Sequence, residues 1–217
     1  MEKFSFLKFV KISFFAFGLS SLIFTSCNSD EEIKDKPEIP KNEFPVDVLN
    51  LDGINVNYPK NHTFGVWNEG SKIIPVNGTD YKFDLTMTMD KSSKNVRIHY
   101  YLLSEPSTAK SSDVDAIADR FKNDVYSEDT GHELLSDETV PFAGYDSRKL
   151  TVNQVAYLDK TTYELVPLDT VIYKERYVFF DSDVKKVYTV SIEIPEPLKD
   201  SRRTELYDII SSIKVNK

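Results

Sequence analysis

Alternation of apolar and polar residues is the clearest pattern in this sequence. Residues 81–89 carry an apolar side chain at every second position, which predicts a β-strand with one buried face. Residues 96–103 show the same alternation, and residues 133–140 and 144–157 are two further predicted strands, with Gly144 at the entry of the second. The sequence therefore predicts a fold rich in β-sheet.

Two strands near the end of the chain, residues 170–180 and 185–194, are predicted to pair across a short acidic connection. In that connection, Asp181 and Asp183 have the spacing of two calcium ligands, but the other positions of an EF-hand loop are missing, so a hairpin turn is favoured. Residues 159–167, which precede this pair, are predicted to form a long hairpin tip or an insertion.

Turn signals mark the beginning of the folded part. Asp52-Gly53 separates the apolar-rich stretches 46–51 and 54–58, which is a strong signal for a β-hairpin. A short strand is predicted at residues 66–67, and the Asn-Gly pair at residues 77–78 predicts the next turn.

Helical spacing replaces alternation in two stretches. Between residues 113 and 126 apolar side chains recur every three or four positions, which predicts an amphipathic helix, and Ser112 with Asp115 predicts a capping box at its start. A second amphipathic helix is predicted between Pro197 and Ser212. The order strands, helix, strands, helix indicates an α+β fold with a central antiparallel β-sheet flanked by helices.

A short apolar segment opens the chain and ends at Cys27, the only cysteine in the sequence. Residues 12–24 carry no charge and follow three lysines, which is typical of a signal peptide and too short for a bilayer-spanning helix. A general signal-peptidase site needs a small residue at the third position before the cut, where this chain has Phe24. An ordinary secretory signal and an N-terminal anchor helix are the alternatives.

The sequence Phe24-Thr25-Ser26-Cys27 resembles the lipobox of bacterial lipoproteins, in its looser Bacteroidetes form. This resemblance implies cleavage before Cys27 and attachment of lipid to its sulfur, so that membrane lipid is a partner of the mature chain. The acidic residues 30–32 resemble the signal that sends such lipoproteins to the outer face of the outer membrane. We therefore expect a lipid-anchored protein of the outer membrane, on its periplasmic or its surface-exposed side.

These features divide the chain into three parts. Residues 1–26 are the predicted signal peptide, residues 27–45 the lipidated cysteine with a flexible acidic tether, and residues 46–217 one globular domain. Loss of the signal peptide removes three lysines and one glutamate and changes the formal net charge from −8 to −10. Such an acidic protein gains nothing from contacts with phosphate groups, which argues against nucleic acid as a partner.

Three stretches of the domain resemble members of the PsbP-like superfamily, which includes DcrB-type bacterial lipoproteins. They are the opening strand at 54–67, the Gly-led strand at 144–150, and the closing strand at 188–191 followed by residues 206–215. The resemblance implies an α/β/α sandwich and a non-catalytic accessory or binding role. Residues 159–167 depart from the simplest pattern of that superfamily, and none of its metal or partner sites can be matched to residues here.

Candidate chemistry is sparse. The three histidines, His62, His99 and His132, do not pair with one another or with a cysteine at metal-ligand spacing, and no nucleophile motif is present, so the sequence predicts no catalytic site and no bound metal or cofactor. His99 is expected to be a solvated or satisfied strand histidine, and His132 to be exposed to solvent. His62, Trp67 and Tyr101 are the candidates for a binding surface, because aromatic residues are favoured in interfaces.

The sequence supports three functions. The first is a membrane-anchored envelope lipoprotein with a non-enzymatic accessory or binding domain for an unidentified envelope protein or ligand. The alternative is an envelope hydrolase or carbohydrate-active enzyme built from scattered acidic residues and His62, and the third is a purely structural envelope protein. A pocket of converging carboxylates with shifted pKa values would favour the enzyme, and a shallow face with exposed aromatic side chains would favour the binding domain.

Overall fold

The computed structural model describes residues 46–60 and 63–217, and Cys27 and His62 lie outside this range. Most of the described chain is β-structure. The strands are β1 (Val46–Leu51), β2 (Ile54–Pro59), β3 (Phe64–Val76), β4 (Thr79–Asp90), β5 (Arg97–Glu105), β6 (His132–Phe142), β7 (Tyr145–Leu158), β8 (Leu165–Asp181), β9 (Lys186–Pro195) and β10 (Lys214–Val215). The helices are α1 (Asp113–Arg120), which continues as a π-helical turn (Phe121–Val125), and α2 (Lys199–Ser211), with short 3₁₀ turns at Glu128–Thr130 and Glu196–Leu198.

Seven strands form one antiparallel sheet in the order β3-β4-β5-β9-β8-β7-β6. A second, three-stranded sheet has the order β1-β2-β10 and joins the first hairpin to the last strand. In that hairpin Leu51 pairs with Ile54 across the predicted two-residue turn, where Gly53 has a φ of 88° that favours glycine. The predicted α+β fold with a central antiparallel sheet and flanking helices is confirmed.

The two long helices pack on opposite faces of the large sheet. Successive side chains of a strand point to opposite faces, so each central strand supplies both layers. On one face α2 and the small sheet pack on the first core, which includes Ile98, Tyr100, Val190 and Ile192. On the other face α1 and its π-helical turn pack on the second core, which includes Phe83, Leu103, Val178 and Val187.

A buried carboxylate attaches α2 to its face of the sheet. Glu175, on β8, has no exposed surface and accepts hydrogen bonds of 2.7 Å from Arg203 Nε and from Tyr177 Oη. Burial alone would raise the pKa of Glu175, but the Arg203 guanidinium and the tyrosine hydroxyls outweigh it and lower that pKa. Glu175 is therefore a charged group inside the fold, and its charge is stabilised by Arg203 and the tyrosine hydroxyls.

Two local expectations differ from the structure. The strand predicted at residues 66–67 extends over Phe64–Val76, because its polar middle pairs with β4 across a bulge at Glu69 instead of burying a face. The capping box at Ser112 does not form: this residue has helical backbone angles and makes no side-chain cap. Instead the Asp113 carboxylate accepts the Lys110 N–H at 2.7 Å.

Within residues 46–60 and 63–217, none of the helices has the length and hydrophobicity needed to cross a lipid bilayer.

Candidate functional site

Charged and polar side chains lie in the middle of the large sheet on the face that carries α1. The register pairs His99 of β5 with Ser191 of β9, and Ser191 with Arg176 of β8. Two residues further along the same strands, Glu193 pairs with Lys174. Paired residues point to the same side of a sheet, so these five residues share one face. Polar side chains at the centre of a sheet must find partners there, which makes this region the candidate site.

Arg176 is the most enclosed member of this group, with only 3% of its surface exposed. Its guanidinium carbon lies 4.0 Å from the ring centre of Phe121 and 4.5 Å from that of Tyr101, which are cation–π distances. It donates hydrogen bonds to Tyr126 Oη at 2.7 Å, and to the hydroxyls of Thr189 and Ser191 at 3.1 and 3.2 Å. Arg176 therefore joins the π-helical turn to the sheet and is closed to any ligand.

Four less buried side chains form what we call the polar patch: Glu69, His99, Lys174 and Glu193. His99 Nδ1 lies 3.2 Å from Glu69 Oε2, and His99 Nε2 lies 3.4 Å from Glu193 Oε2. The other oxygen of Glu193 lies 3.0 Å from Lys174 Nζ. The imidazole is thus placed between a carboxylate of β3 and a carboxylate of β9.

Solvent reaches the polar patch only in part, since the four side chains are between 10% and 32% exposed. Burial alone would raise the pKa of Glu193, but the neighbouring His99 imidazole and the Lys174 ammonium outweigh it and hold that pKa well below its ordinary value. Glu193 therefore stays ionised at neutral pH and acts as a hydrogen-bond acceptor.

His132 corrects an expectation from the sequence, because it is 7% exposed and not in solvent. Its Nδ1 lies 3.1 Å from Thr130 Oγ1, and its ring centre lies 5.3 Å from that of Tyr126. Its Nε2 is buried and has no hydrogen-bond partner among the described residues. Burial and then the charge of Lys174 lower the pKa of His132 to about 4, so the imidazole is neutral at pH 7.

Trp67 is the only predicted binding residue that the described part of the chain places on the surface, with 39% of it exposed. The register links Trp67 through Met87 to His99, so the indole lies on the face of the polar patch, two strands or about 10 Å from the imidazole. The indole packs over Gly65, where a Cβ atom would overlap the ring. Trp67 thus extends the polar patch with an aromatic surface.

The other predicted binding residues contribute less. Tyr101 is only 8% exposed, and its ring packs edge-on against Phe121 at 5.5 Å and under the Arg176 guanidinium. The expected surface position of Tyr101 is therefore wrong, because the π-helical turn covers it. Cys27 and His62 lie outside the described residues, so their predicted roles in lipidation and binding remain predictions.

Sequence reasoning missed Glu69, Lys174 and Glu193 as members of the site. A signal existed in the last two. Glu193 lies between Ile192 and Ile194, and Lys174 follows Tyr173 in a strand that continues into apolar and aromatic residues. A charge in such a strand must pair or stay at an opening of the core. Glu69 gave no signal, because it lies in a polar run and reaches His99 only through the bulge of β3.

The chemistry available here is recognition through hydrogen bonds, charge and stacking. Trp67 offers an aromatic face, and the polar patch offers carboxylate oxygens, an ammonium and an imidazole. In the described part of the chain no group of three or more His, Cys, Asp and Glu side chains is arranged to hold a metal ion.

Comparison with known proteins supports the fold. No protein-family model matches the sequence, and no curated protein sequence matches it significantly. Among solved structures, the cyanobacterial PsbP protein (CyanoP) of Synechocystis sp. PCC 6803 matches with a TM-score of 0.52 at 18% identity, over 79% of this chain and 92% of that chain. PA94 of Pseudomonas aeruginosa, a protein of unknown function, matches with a TM-score of 0.40 at 7% identity, over 79% and 97%, which is too distant to carry an argument. The first match, with the strand order above, shows that the chain has a PsbP-like fold.

Proposed function

We propose that this protein is an envelope lipoprotein, anchored in the outer membrane by acylated Cys27, whose PsbP-like domain is a non-catalytic binding module for an envelope protein or ligand. The anchor is supported by the lipobox-like residues Phe24 to Cys27 and by the uncharged segment before them. One acyl chain alone binds a membrane only marginally, whereas the two or three chains of a bacterial lipoprotein hold it stably. The acidic residues 30–32 support the outer membrane as the destination.

The observation that carries the binding role is the pairing of charges in the polar patch. A general acid or base works best when its pKa lies near the operating pH. The pKa of Glu193 is held far below that range, and its carboxylate forms an ion pair with Lys174 at 3.0 Å. Such paired groups suit a surface that recognises a partner through fixed hydrogen bonds, with the exposed indole of Trp67 beside them.

Anchoring is tested by metabolic labelling with palmitate in cells that express the Cys27→Ala variant. We expect this variant to lose the label and to leave the membrane fraction. The matched control is Ser29→Ala, which changes a neighbouring tether residue and should keep both properties. A Cys27→Ala protein that remains labelled and membrane-bound would refute the anchor.

The binding role is tested by cross-linking the tagged lipoprotein in its native envelope and comparing Trp67→Ala with Ile73→Ala. Both residues are exposed on β3, but only Trp67 lies next to the polar patch. We expect a cross-linked partner that Ile73→Ala retains and Trp67→Ala loses. Equal capture by both variants would argue against this face. Turnover of an envelope substrate by the purified protein would instead favour an enzyme.

A further inference from the structure

The β7–β8 hairpin extends beyond the rest of the large sheet. Ile172 of β8 pairs with Pro195, the last residue of β9, and Gln154 of β7 pairs with His132, the first residue of β6. Past these pairs, the Ala156 N–H still donates to the Gly131 carbonyl at 3.2 Å, whereas Tyr157 and Leu158 pair only with Val166 and Leu165 of β8. The end of this hairpin therefore has no neighbouring strand on either side.

Large apolar side chains occupy both faces of this extension. Tyr157 pairs with Val166 and Leu158 with Leu165, and adjacent pairs of a ladder point to opposite faces. Tyr157, Leu158 and Leu165 are 45%, 39% and 44% exposed, and Tyr163 in the turn is 78% exposed. A hairpin alone in water is marginally stable, and clustered exposed apolar residues mark an interaction site.

The turn of the hairpin is ordered by its own hydrogen bonds. Asp159 Oδ1 accepts the N–H groups of Thr161 and Thr162 at 2.7 and 3.2 Å, and the Asp159 carbonyl accepts the N–H of Tyr163 at 2.8 Å. The Tyr163 side chain is thus presented at the tip by a closed loop. Such an ordered tip with an exposed tyrosine is suited to insertion into a lipid surface.

Exposed apolar residues concentrate at the same end of the sheet. Leu134 and Leu135 lie at the start of β6, and Val66 and Trp67 at the start of β3. Among the large hydrophobic residues that are exposed in the described chain, only Val48 and Ile73 lie elsewhere. This end of the sheet, which we call the apolar end, therefore carries most of the exposed large apolar side chains, beside the polar patch.

The described chain also begins at this end. Val46 pairs with Pro59, and the preceding Tyr58 lies 3.0 Å, hydroxyl to hydroxyl, from Thr88, two residues before the end of β4. The antiparallel register brings the end of β4 and the start of β5 to the side from which the β7–β8 hairpin projects. The predicted tether therefore meets the domain at its apolar end.

We infer that the projecting end of the β7–β8 hairpin is a lipid-contact element, which inserts Tyr163 and its neighbours into the surface of the membrane that holds Cys27. The inference rests on the proposed anchor. An 18-residue chain, the length of the predicted tether, spans about 23 Å if it is a flexible coil and at most about 60 Å if it is extended, so a lipidated Cys27 would hold the domain within reach of the bilayer. Tyrosine and leucine suit the boundary between headgroups and acyl chains.

The charge near the tip indicates which lipids fit. Asp159 and Glu164 flank the turn with Lys160 as the nearby cation, and the mature chain is acidic. An anionic surface would repel this end, so we expect contact with neutral headgroups. Vesicles of phosphatidylcholine and phosphatidylethanolamine are therefore the appropriate probe.

The experiment places a nitroxide spin label at the tip of the full, acylated protein in such vesicles. Because acylation would block the single native thiol, Tyr163→Cys offers one labelling site. Asp80→Cys provides the control at the start of β4, at the opposite end of the sheet. Unchanged circular dichroism of both labelled variants verifies the fold. We expect the label at residue 163 to lose collisions with an aqueous nickel chelate and gain collisions with oxygen, while the label at residue 80 stays accessible to the chelate.

Three results would overturn the inference. A protein that floats with the vesicles while the label at residue 163 remains accessible to the chelate would show that the anchor holds but the hairpin does not insert. Spin–spin broadening that disappears on dilution with unlabelled protein would show that a second copy covers the hairpin. A protein that fails to float at all would refute the proposed anchor, and the inference would fall with it.

Discussion

Buried His132 makes the stability of this domain depend on pH between 5 and 7. In the folded protein its pKa is lowered from 6.5 to about 4 by burial, with a smaller effect of Lys174. The unfolded chain therefore takes up a proton before the folded protein does as the pH falls. The contribution of His132 to stability is complete above pH 6.5 and is lost as the pH falls toward 4.

The magnitude follows from the two pKa values. Between pH 7.5 and pH 5.0, proton uptake by the unfolded chain should lower the free energy of unfolding by about 2 kcal/mol. Buried carboxylates with lowered pKa values, such as Glu193 and Glu175, lose their contributions mainly below pH 5, because their unfolded-state values lie near 4.5. The interval from pH 7.5 to pH 5.0 therefore isolates most of the effect of His132 protonation on stability.

Urea unfolding, followed by the fluorescence of Trp67, measures this difference at the two pH values. We expect His132→Phe to remove most of the decrease, because phenylalanine keeps an aromatic ring beside Tyr126 and cannot be protonated. Glu133→Gln, at the exposed neighbouring position, should retain the full decrease. If His132→Phe and the wild-type protein lose the same stability between pH 7.5 and pH 5.0, the assignment to this residue is wrong.

Two further predictions concern stability at neutral pH, each measured by urea unfolding. Glu175→Ala leaves a buried cluster of donors without their acceptor and should cost about 3 kcal/mol. Glu138→Ala, which removes a carboxylate that is 48% exposed, should cost under about 1 kcal/mol, and equal costs would contradict the role of burial. Gly131→Ala should lower the free energy of unfolding more than Gly78→Ala does. Both glycines have a positive φ, but only a Cβ at residue 131 would approach a backbone atom, the Ala156 carbonyl oxygen at 2.5 Å. Similar losses in both variants would show that the local backbone adjusts to the contact.

Much of the fold could be predicted from the sequence, because alternation and turn chemistry act locally. Residues 81–89 lie in β4 and residues 97–103 in β5, and the helix before Phe121 lies where helical spacing indicated. The prediction of one buried face for residues 81–89 is only partly right, because Thr88 on the predicted polar face is fully buried. The middle of β3 was not predicted as a strand. An exposed edge strand is held by backbone hydrogen bonds and needs no buried face, so its sequence shows no alternation of apolar and polar residues.

The site was harder to predict, because its members come from distant parts of the chain. Glu69, His99 and Glu193 meet only after β3, β5 and β9 have taken their places in the sheet. The burial of Tyr101 and His132 depends on where the π-helical turn packs, and side-chain spacing within their own strands does not carry that information. Local pattern thus specifies strands, whereas the assembled sheet determines which polar residues meet.

The small sheet joins the two ends of the described domain. β10 pairs with β2 through Lys214 and Val215, and the Asn216 N–H donates to the Gly53 carbonyl at 2.9 Å. During synthesis the amino-terminal hairpin leaves the ribosome long before those last residues emerge. The domain therefore cannot complete its fold while its tail is still held, and a bulky fusion placed directly after Lys217 would hinder the pairing of β10 with β2.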